Sequence, residues 1–288
     1  MKGVIILRQY NVEISDNNDK TEKRKKRKKR LTRTAILSAI LIPCIIFGGI
    51  MYRGYVKTNE AYDNVQRDYT NLAMSYVTTD ATIDSEDKNM NRKVDFTSLM
   101  KKEKDIYAWV YIPNTSIDYP ILQSDESQSD DDYWLNHNLD GSEGYPGTIF
   151  TERMFGKDFK TFNTVIYGHN MKNQTMFGGL HNFENSDYFN KHNYVYIYTP
   201  NMTYKYIIVS ASTISDIHLA LAYNGYETEQ QRNQFLDYLQ ANSVKTRENV
   251  KTGIYDSYIT LSTCTSSDVN RFVVLAKCVD KISDTDFD

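Results

Sequence analysis

The stretch YITLSTCTSSDVNRFVVLAKC spans residues 258–278 and reads as two strands joined by a polar loop. Tyr258–Leu261 has β-type composition. Small hydroxyl residues Ser262 and Thr263 end the run, and Cys264 follows them. After the polar loop, Arg271 opens a second β-type run that ends at Cys278. The pattern puts a thiol at a strand end and lets an arginine return beside it on the neighbouring strand. A thiol so placed is accessible, and a cationic neighbour favours its thiolate. Arginine cannot act as a base, but its fork of donors can hold a carbonyl or a developing oxyanion. The same residues also fit a half-buried strand-end cysteine with a surface arginine. Cys278 alternates with Val274 and Ala276 on one face and reads as a buried structural cysteine.

Working outward, similar runs recur at Trp109–Ile112, Ile117–Leu122, Gly147–Phe150, Thr164–Tyr167, Tyr194–Tyr198 and Tyr204–Ser210. Together with Ser257–Ser262 and Arg271–Cys278 they predict a mainly β body with peripheral helices, as a barrel or a sandwich. Residues 227–242 predict a helix with an acidic start and with Phe235, Tyr238 and Leu239 on one face. Asp95–Lys104 and Met176–Phe183 are candidates for short helices.

His169 follows the run Thr164–Tyr167 and Gly168, so it opens a loop held by a rigid strand. That is a suitable position for proton transfer. The other four histidines, His137, His181, His192 and His218, lie in polar surroundings without HxxxH or HExxH spacing. His181 and His192 read as surface residues. Neither a metal nor an organic cofactor is expected.

Residues 34–52, TAILSAILIPCIIFGGIMY, contain no charge. A helix of that length spans about 28 Å, near the ~30 Å hydrocarbon core of a bilayer. The run is too long for a signal-peptide core and lacks a small-x-small cleavage site. The octamer KRKKRKKR at 23–30 precedes it, so the positive-inside rule keeps the N-terminus cytoplasmic and the remainder outside. Residues 1–34 carry a net +8, and with −3 for the whole chain the rest carries −11. Beside a membrane span the basic run is a topology signal that also touches anionic lipid, and no nucleic-acid partner is expected. Three cysteines, one of them in the apolar run, do not make a disulfide framework. The expected organisation is a basic cytoplasmic tail at 1–33, a transmembrane anchor at 34–53, a helical stalk and linker at 54–92, and a catalytic domain at 93–288. Tyr55, Tyr62, Val65, Tyr69, Leu72 and Tyr76, at 3–4 spacing after a first step of seven, form one modest apolar stripe in the stalk, which would serve either a free helix or one packed on the body.

TLSTC followed by Arg271, and YGHNM followed by TMF at 175–177, together resemble the sortase family. WVYIPNTSIDYPILQ at 109–123, GTIF at 147–150 and NQFLDYL at 233–239 add to the resemblance, which covers roughly residues 93–280. The helix between the runs Tyr204–Ser210 and Ser257–Ser262 is similar to the extra helix of class B. The resemblance implies an eight-stranded β-barrel preceded by a single transmembrane helix, on the outer face of a Gram-positive cell membrane. It implies a cysteine transpeptidase that cuts a C-terminal sorting signal of secreted proteins after Thr and joins that Thr to an amine. The amine belongs to the peptidoglycan precursor, or to a pilin lysine in pilus-building members. Carried over by position, Cys264 resembles the nucleophile, His169 the general acid/base and Arg271 the third active-site residue. Leu135, Tyr167, Ser262 and Thr263 fall where class B enzymes bind the signal. Many class B sequences have Asn four residues before the matching Leu, where this chain has Asp131. A plain surface cysteine peptidase would use the same three residues, and a non-enzymatic anchored binding module would need none of them.

Overall fold

The computed structural model describes residues 2–79, 87–128, 130–216, 226–265 and 269–283. Two compact units emerge, Met1–Glu60 and Ala61–Asp288. His218 lies outside the described residues, as does the middle of the expected linker at 80–86.

Helix α1, Lys2–Tyr76, begins in the first unit. Its apolar stretch has a mean hydropathy of 2.3 and is long enough to cross a membrane. Ile36, Leu37, Ile40, Leu41, Ile45 and Phe47 are all exposed.

In the second unit eleven strands are described. β1 (Val77–Thr79) and β2 (Arg92–Val94) form a small antiparallel pair. The main sheet contains β3 (Ile106–Tyr111), β4 (Asp118–Leu122), β5 (Ile149–Phe150), β6 (Asn163–Tyr167), β7 (Tyr194–Tyr198), β8 (Met202–Ser215), β9 (Ser243–Thr246), β10 (Tyr258–Cys264) and β11 (Asn270–Ser283). Neighbours run in the order β11-β10-β6-β5-β4-β3-β7-β8, and β8 pairs back onto β11. The ring is therefore a closed barrel of eight strands, and β9 is an appendage on β8 beside Ser210–Ser212. Closure leaves no edge within the ring. The barrel and its peripheral helices agree with the architecture expected from the sequence.

Inside the barrel, Ala108, Val110, Ile121, Ile166, Ile197, Ile208, Leu261, Phe272 and Val274 are fully buried. A second cluster covers the outer face, where Val165, Val209, Tyr258, Val273 and Leu275 meet Phe235 and Leu239. These last two belong to a helix at Glu229–Ala241. Both faces of β11 are thus covered, which explains its nearly unbroken apolar run. Thr228 starts the helix by accepting from Gln231 N, while Gln231 Oε1 accepts from Thr228 N, a reciprocal capping box. The shorter helices are α2 (Phe96–Lys102) and α3 (Ser186–Lys191), so the capped one is α4. The stretch expected to be helical near Met176–Phe183 is a 3-10 turn over Gly178–Glu184.

The segment 61–76 of α1 packs on the barrel, with Tyr69 and Leu72 buried in the main core. The Tyr119 hydroxyl donates to Gln66 Oε1 at 2.6 Å and accepts from Met176 N at 3.0 Å. It joins this helix to β4 and to the loop after β6. Tyr119→Phe leaves a buried N–H at Met176 without its acceptor, at a cost of about 1–3 kcal/mol. A lowered thermal unfolding midpoint is the expected result, and an unchanged midpoint would contradict this role.

Candidate active site

Strand direction assembles the site. β6 and β10 are parallel, with Tyr167 opposite Ser262, so their C-terminal ends lie at the same end of the barrel. β11 is antiparallel to β10, so its beginning lies there too, with Arg271 opposite Cys264. Three segments far apart in sequence thus deliver His169, Cys264 and Arg271 to one place. Crevices beyond the C-terminal ends of parallel strands are common ligand sites in open α/β sheets, and this parallel pair has the same local geometry.

His169 is largely shielded from water. Its Nε2 donates to the Leu135 carbonyl at 2.8 Å. With that nitrogen carrying the proton, Nδ1 of the neutral ring is the atom able to accept and return one. Burial holds the imidazole below its ordinary pKa. The bond to Leu135 opposes this, and the positive charge of Arg271 adds to the depression. The neutral ring therefore dominates at neutral pH. Tyr145 lies over the ring, with centroids 4.6 Å apart, and is itself well exposed. Among the described residues, no hydrogen bond joins Cys264 Sγ to His169. All three cysteines are free, and Cys264 is half-buried.

Arg271 is held by Asp216. Its Nε lies 3.1 Å from Asp216 Oδ1, and its Nη2 donates to Oδ2 at 3.2 Å. The two-point contact orients the guanidinium fork and offsets its charge. Asp216 N in turn donates to Val269 O at 3.1 Å, tying the carboxylate to the turn before β11.

The four expected signal-binding residues divide. Ser262 and Tyr167 lie opposite one another on the face of the sheet that also carries Cys264. Tyr167 stacks on Phe150 with ring centroids 5.3 Å apart. Ser262 is 1% exposed, and its Oγ has no hydrogen-bond partner among the described residues. Leu135 ends the 3-10 turn Tyr133–Leu135 and supplies the carbonyl that orients His169. Thr263 is not brought to this surface. Strand alternation turns its side chain to the opposite face, where it is buried and its hydroxyl donates to Gly168 O at 2.8 Å. Asp131, in place of the usual Asn, pairs with Arg153.

One of the two histidines expected at the surface is not there. His192 is buried, with Nδ1 2.9 Å from the Tyr188 carbonyl. His181 is half-buried and brings Nε2 to 3.1 Å from the Cys264 carbonyl. Cys278 is half-buried rather than part of the core, and burial pushes its thiol pKa up. Tyr145 and Asp216 were missed, and Gly147 and Asn170 were read only as parts of longer stretches, because all four act through loops where no periodicity marks a role. The turn signal YPG at 145–147 was the available clue.

A sortase-domain profile matches residues 110–279, and the chain belongs to the sortase family. Sortases are cysteine transpeptidases. Within the family this chain is a class B sortase. It is 34% identical to a sortase B of Listeria monocytogenes, over 82% of this chain and 95% of that one. Its fold matches a sortase B–substrate complex of Staphylococcus aureus with a TM-score of 0.60 at 25% identity, covering 78% of this chain and 97% of that one. It also matches a Streptococcus pyogenes class B sortase involved in pilus biogenesis, with a TM-score of 0.55 at 26% identity over 65% and 98% of the two chains.

Two tests follow from the surroundings of His169. Gly147 has φ +62°, and a Cβ there would stand 2.1 Å from the Leu135 oxygen. Gly147→Ala must displace the carbonyl that orients the ring, and turnover should fall about a hundredfold, the scale of a 1 Å misplacement. Near-parental turnover would remove Leu135 from the orienting role. Removing the charge of Arg271 should raise the pH at which His169 titrates. NMR of the His169 ring carbons in Arg271→Ala reads this shift, and a titration that stays put or moves down contradicts the coupling.

Proposed function

We propose that this sortase anchors secreted proteins to the cell wall, with Cys264 as nucleophile, His169 as general acid/base and Arg271 as clamp on the substrate carbonyl. The observation that carries the reading is the convergence of these three side chains at one end of β6, β10 and β11. The unpartnered Ser262 hydroxyl on the same face supports a peptide groove, since a buried donor without a partner suits a ligand that supplies one. The exposed apolar stretch of α1 and the basic run before it support a single-pass membrane anchor with the N-terminus in the cytoplasm and the catalytic domain outside.

In this mechanism the Cys264 thiolate attacks the carbonyl carbon of the signal's Thr. Negative charge gathers on the carbonyl oxygen, and the guanidinium of Arg271 with a backbone N–H stabilises it. His169, as imidazolium, gives its proton to the departing amine, so the peptide bond breaks and a thioester remains on Cys264. The neutral His169 then takes a proton from the incoming amine as that amine attacks the thioester. The new amide leaves, and thiolate and imidazolium are restored. Because burial and Arg271 both favour the neutral imidazole, only a minor fraction of His169 is imidazolium at neutral pH. A pilin lysine is the second acceptor, favoured by the pilus-associated Streptococcus pyogenes relative.

The test offers quenched peptides with NPxTx, LPxTG and SPxTG-type signals, with or without triglycine, and reads products by mass. Cleavage after Thr with a Thr–Gly adduct, lost in Cys264→Ala, is the expected result. A carboxylate product whatever amine is offered would favour a peptidase. An adduct formed only with a lysine-bearing pilin peptide would favour pilus assembly.

A further inference from the structure

The hydrogen-bonded ladder between β6 and β10 stops just short of the chemistry. Its last regular pair is Tyr167 with Ser262. Beyond it, Gly168 N donates to Ser262 O at 3.1 Å and the Thr263 hydroxyl returns to Gly168 O. The next link is a side chain. Asn170, directly after His169, donates from Nδ2 to the Cys264 carbonyl at 2.8 Å. His181 approaches the same oxygen from the 3-10 turn Gly178–Glu184, with Nε2 at 3.1 Å and with Asn170 Nδ2 3.2 Å away. The His181 ring stacks on Phe272 of β11, with centroids 4.7 Å apart, and its Nδ1 lies 2.9 Å from Glu184 Oε1.

The donor inventory constrains this cluster. An ionised carboxylate only accepts, so His181 Nδ1 carries a proton toward Glu184. Nε2 then either donates to the Cys264 carbonyl, in the doubly protonated ring, or accepts the second amide hydrogen of Asn170, in the neutral ring. In either state Asn170 holds the carbonyl, and His181 reinforces it directly or through Asn170. A structural loop histidine would not be expected to meet the backbone of the reactive cysteine from one side and a carboxylate from the other.

We propose that Asn170 and His181, oriented by Glu184, are positioning residues that clamp the backbone of Cys264 to the loop bearing His169. The inference rests on the reading of Cys264 and His169 as the reacting pair. The clamp continues the strand ladder by side chains where the two backbones diverge, and so fixes the thiol relative to the imidazole. It touches no substrate, so its loss lowers the rate of the chemical step and leaves peptide binding unchanged.

The experiment compares Asn170→Ala, His181→Phe, His181→Gln and Glu184→Gln in the detergent-solubilised full chain. It uses whichever sorting-signal peptide the parent cleaves, and separates kcat from KM. Iodoacetamide labelling of Cys264, read by mass, checks that the thiol stays accessible in each variant. Asn170→Ala and His181→Phe should each lower kcat about three- to tenfold, the scale of one hydrogen bond, at unchanged KM. His181→Gln supplies either a donor for the carbonyl or an acceptor for Asn170 and should recover most of the loss. Glu184→Gln, at the exposed end of the cluster, should give a smaller fall confined to kcat and carries the test if a core variant does not fold. The clamp is overturned if kcat stays at the parental value, if the loss appears in KM, or if His181→Gln is no better than His181→Phe. His169→Ala with parental turnover would instead overturn the underlying assignment of the reacting pair.

Discussion

β6 and β10 run in the same direction, and the hydrogen bonds between them determine which chain ends meet. Parallel strands present their C-terminal ends together, so a residue just past β6 and a residue at the end of β10 become neighbours across 95 positions of sequence. The antiparallel pairing of β11 adds the start of a third strand at the same rim. A one-residue slip in either ladder would turn Cys264 and Ser262 toward the barrel interior. Burial resists such a slip, because Leu261, Ile259, Phe272 and Val274 fill the inside while Val165, Val273 and Leu275 are covered by α4.

The rim built this way is electrically balanced. His169 is shielded from water and close enough to Arg271 for the cation to disfavour its protonation. Arg271 is itself paired in two places with Asp216. The imidazole takes its orientation from a main-chain carbonyl rather than from a carboxylate. That distinguishes the arrangement from a Ser-His-Asp triad, in which a buried acid stabilises the imidazolium. A predominantly neutral His169 ring at neutral pH is the chemical consequence.

Loops carry much of this precision. Gly147 lets the chain pass close to the Leu135 carbonyl, Tyr145 lies over the His169 ring, and Asn170 donates to the Cys264 carbonyl with His181 beside both. Strands supply the coarse placement, and irregular segments supply the contacts that orient each reacting group. Such division is common where a rigid sheet supports functional loops.

The sequence by itself determined the β-rich body, the helix α4, the apolar stretch of α1 and the candidate set Cys264, His169 and Arg271. These are local properties: apolar periodicity, an acidic helix start, an uncharged run and residue types at strand ends each act over a few positions. Strand alternation alone puts Ser262 on the face of Cys264 and Thr263 on the other, but the neighbours of Thr263 in sequence do not reveal that Gly168 waits there. His181 and His192 looked like surface residues amid polar neighbours, yet one meets the Cys264 carbonyl and the other is buried. Barrel closure through β8 and β11, the pairing of Asp216 with Arg271 and the depressed basicity of His169 were decided only by tertiary structure. Each depends on groups brought together from distant segments, and neither desolvation nor a long-range contact is encoded in any short stretch of chain.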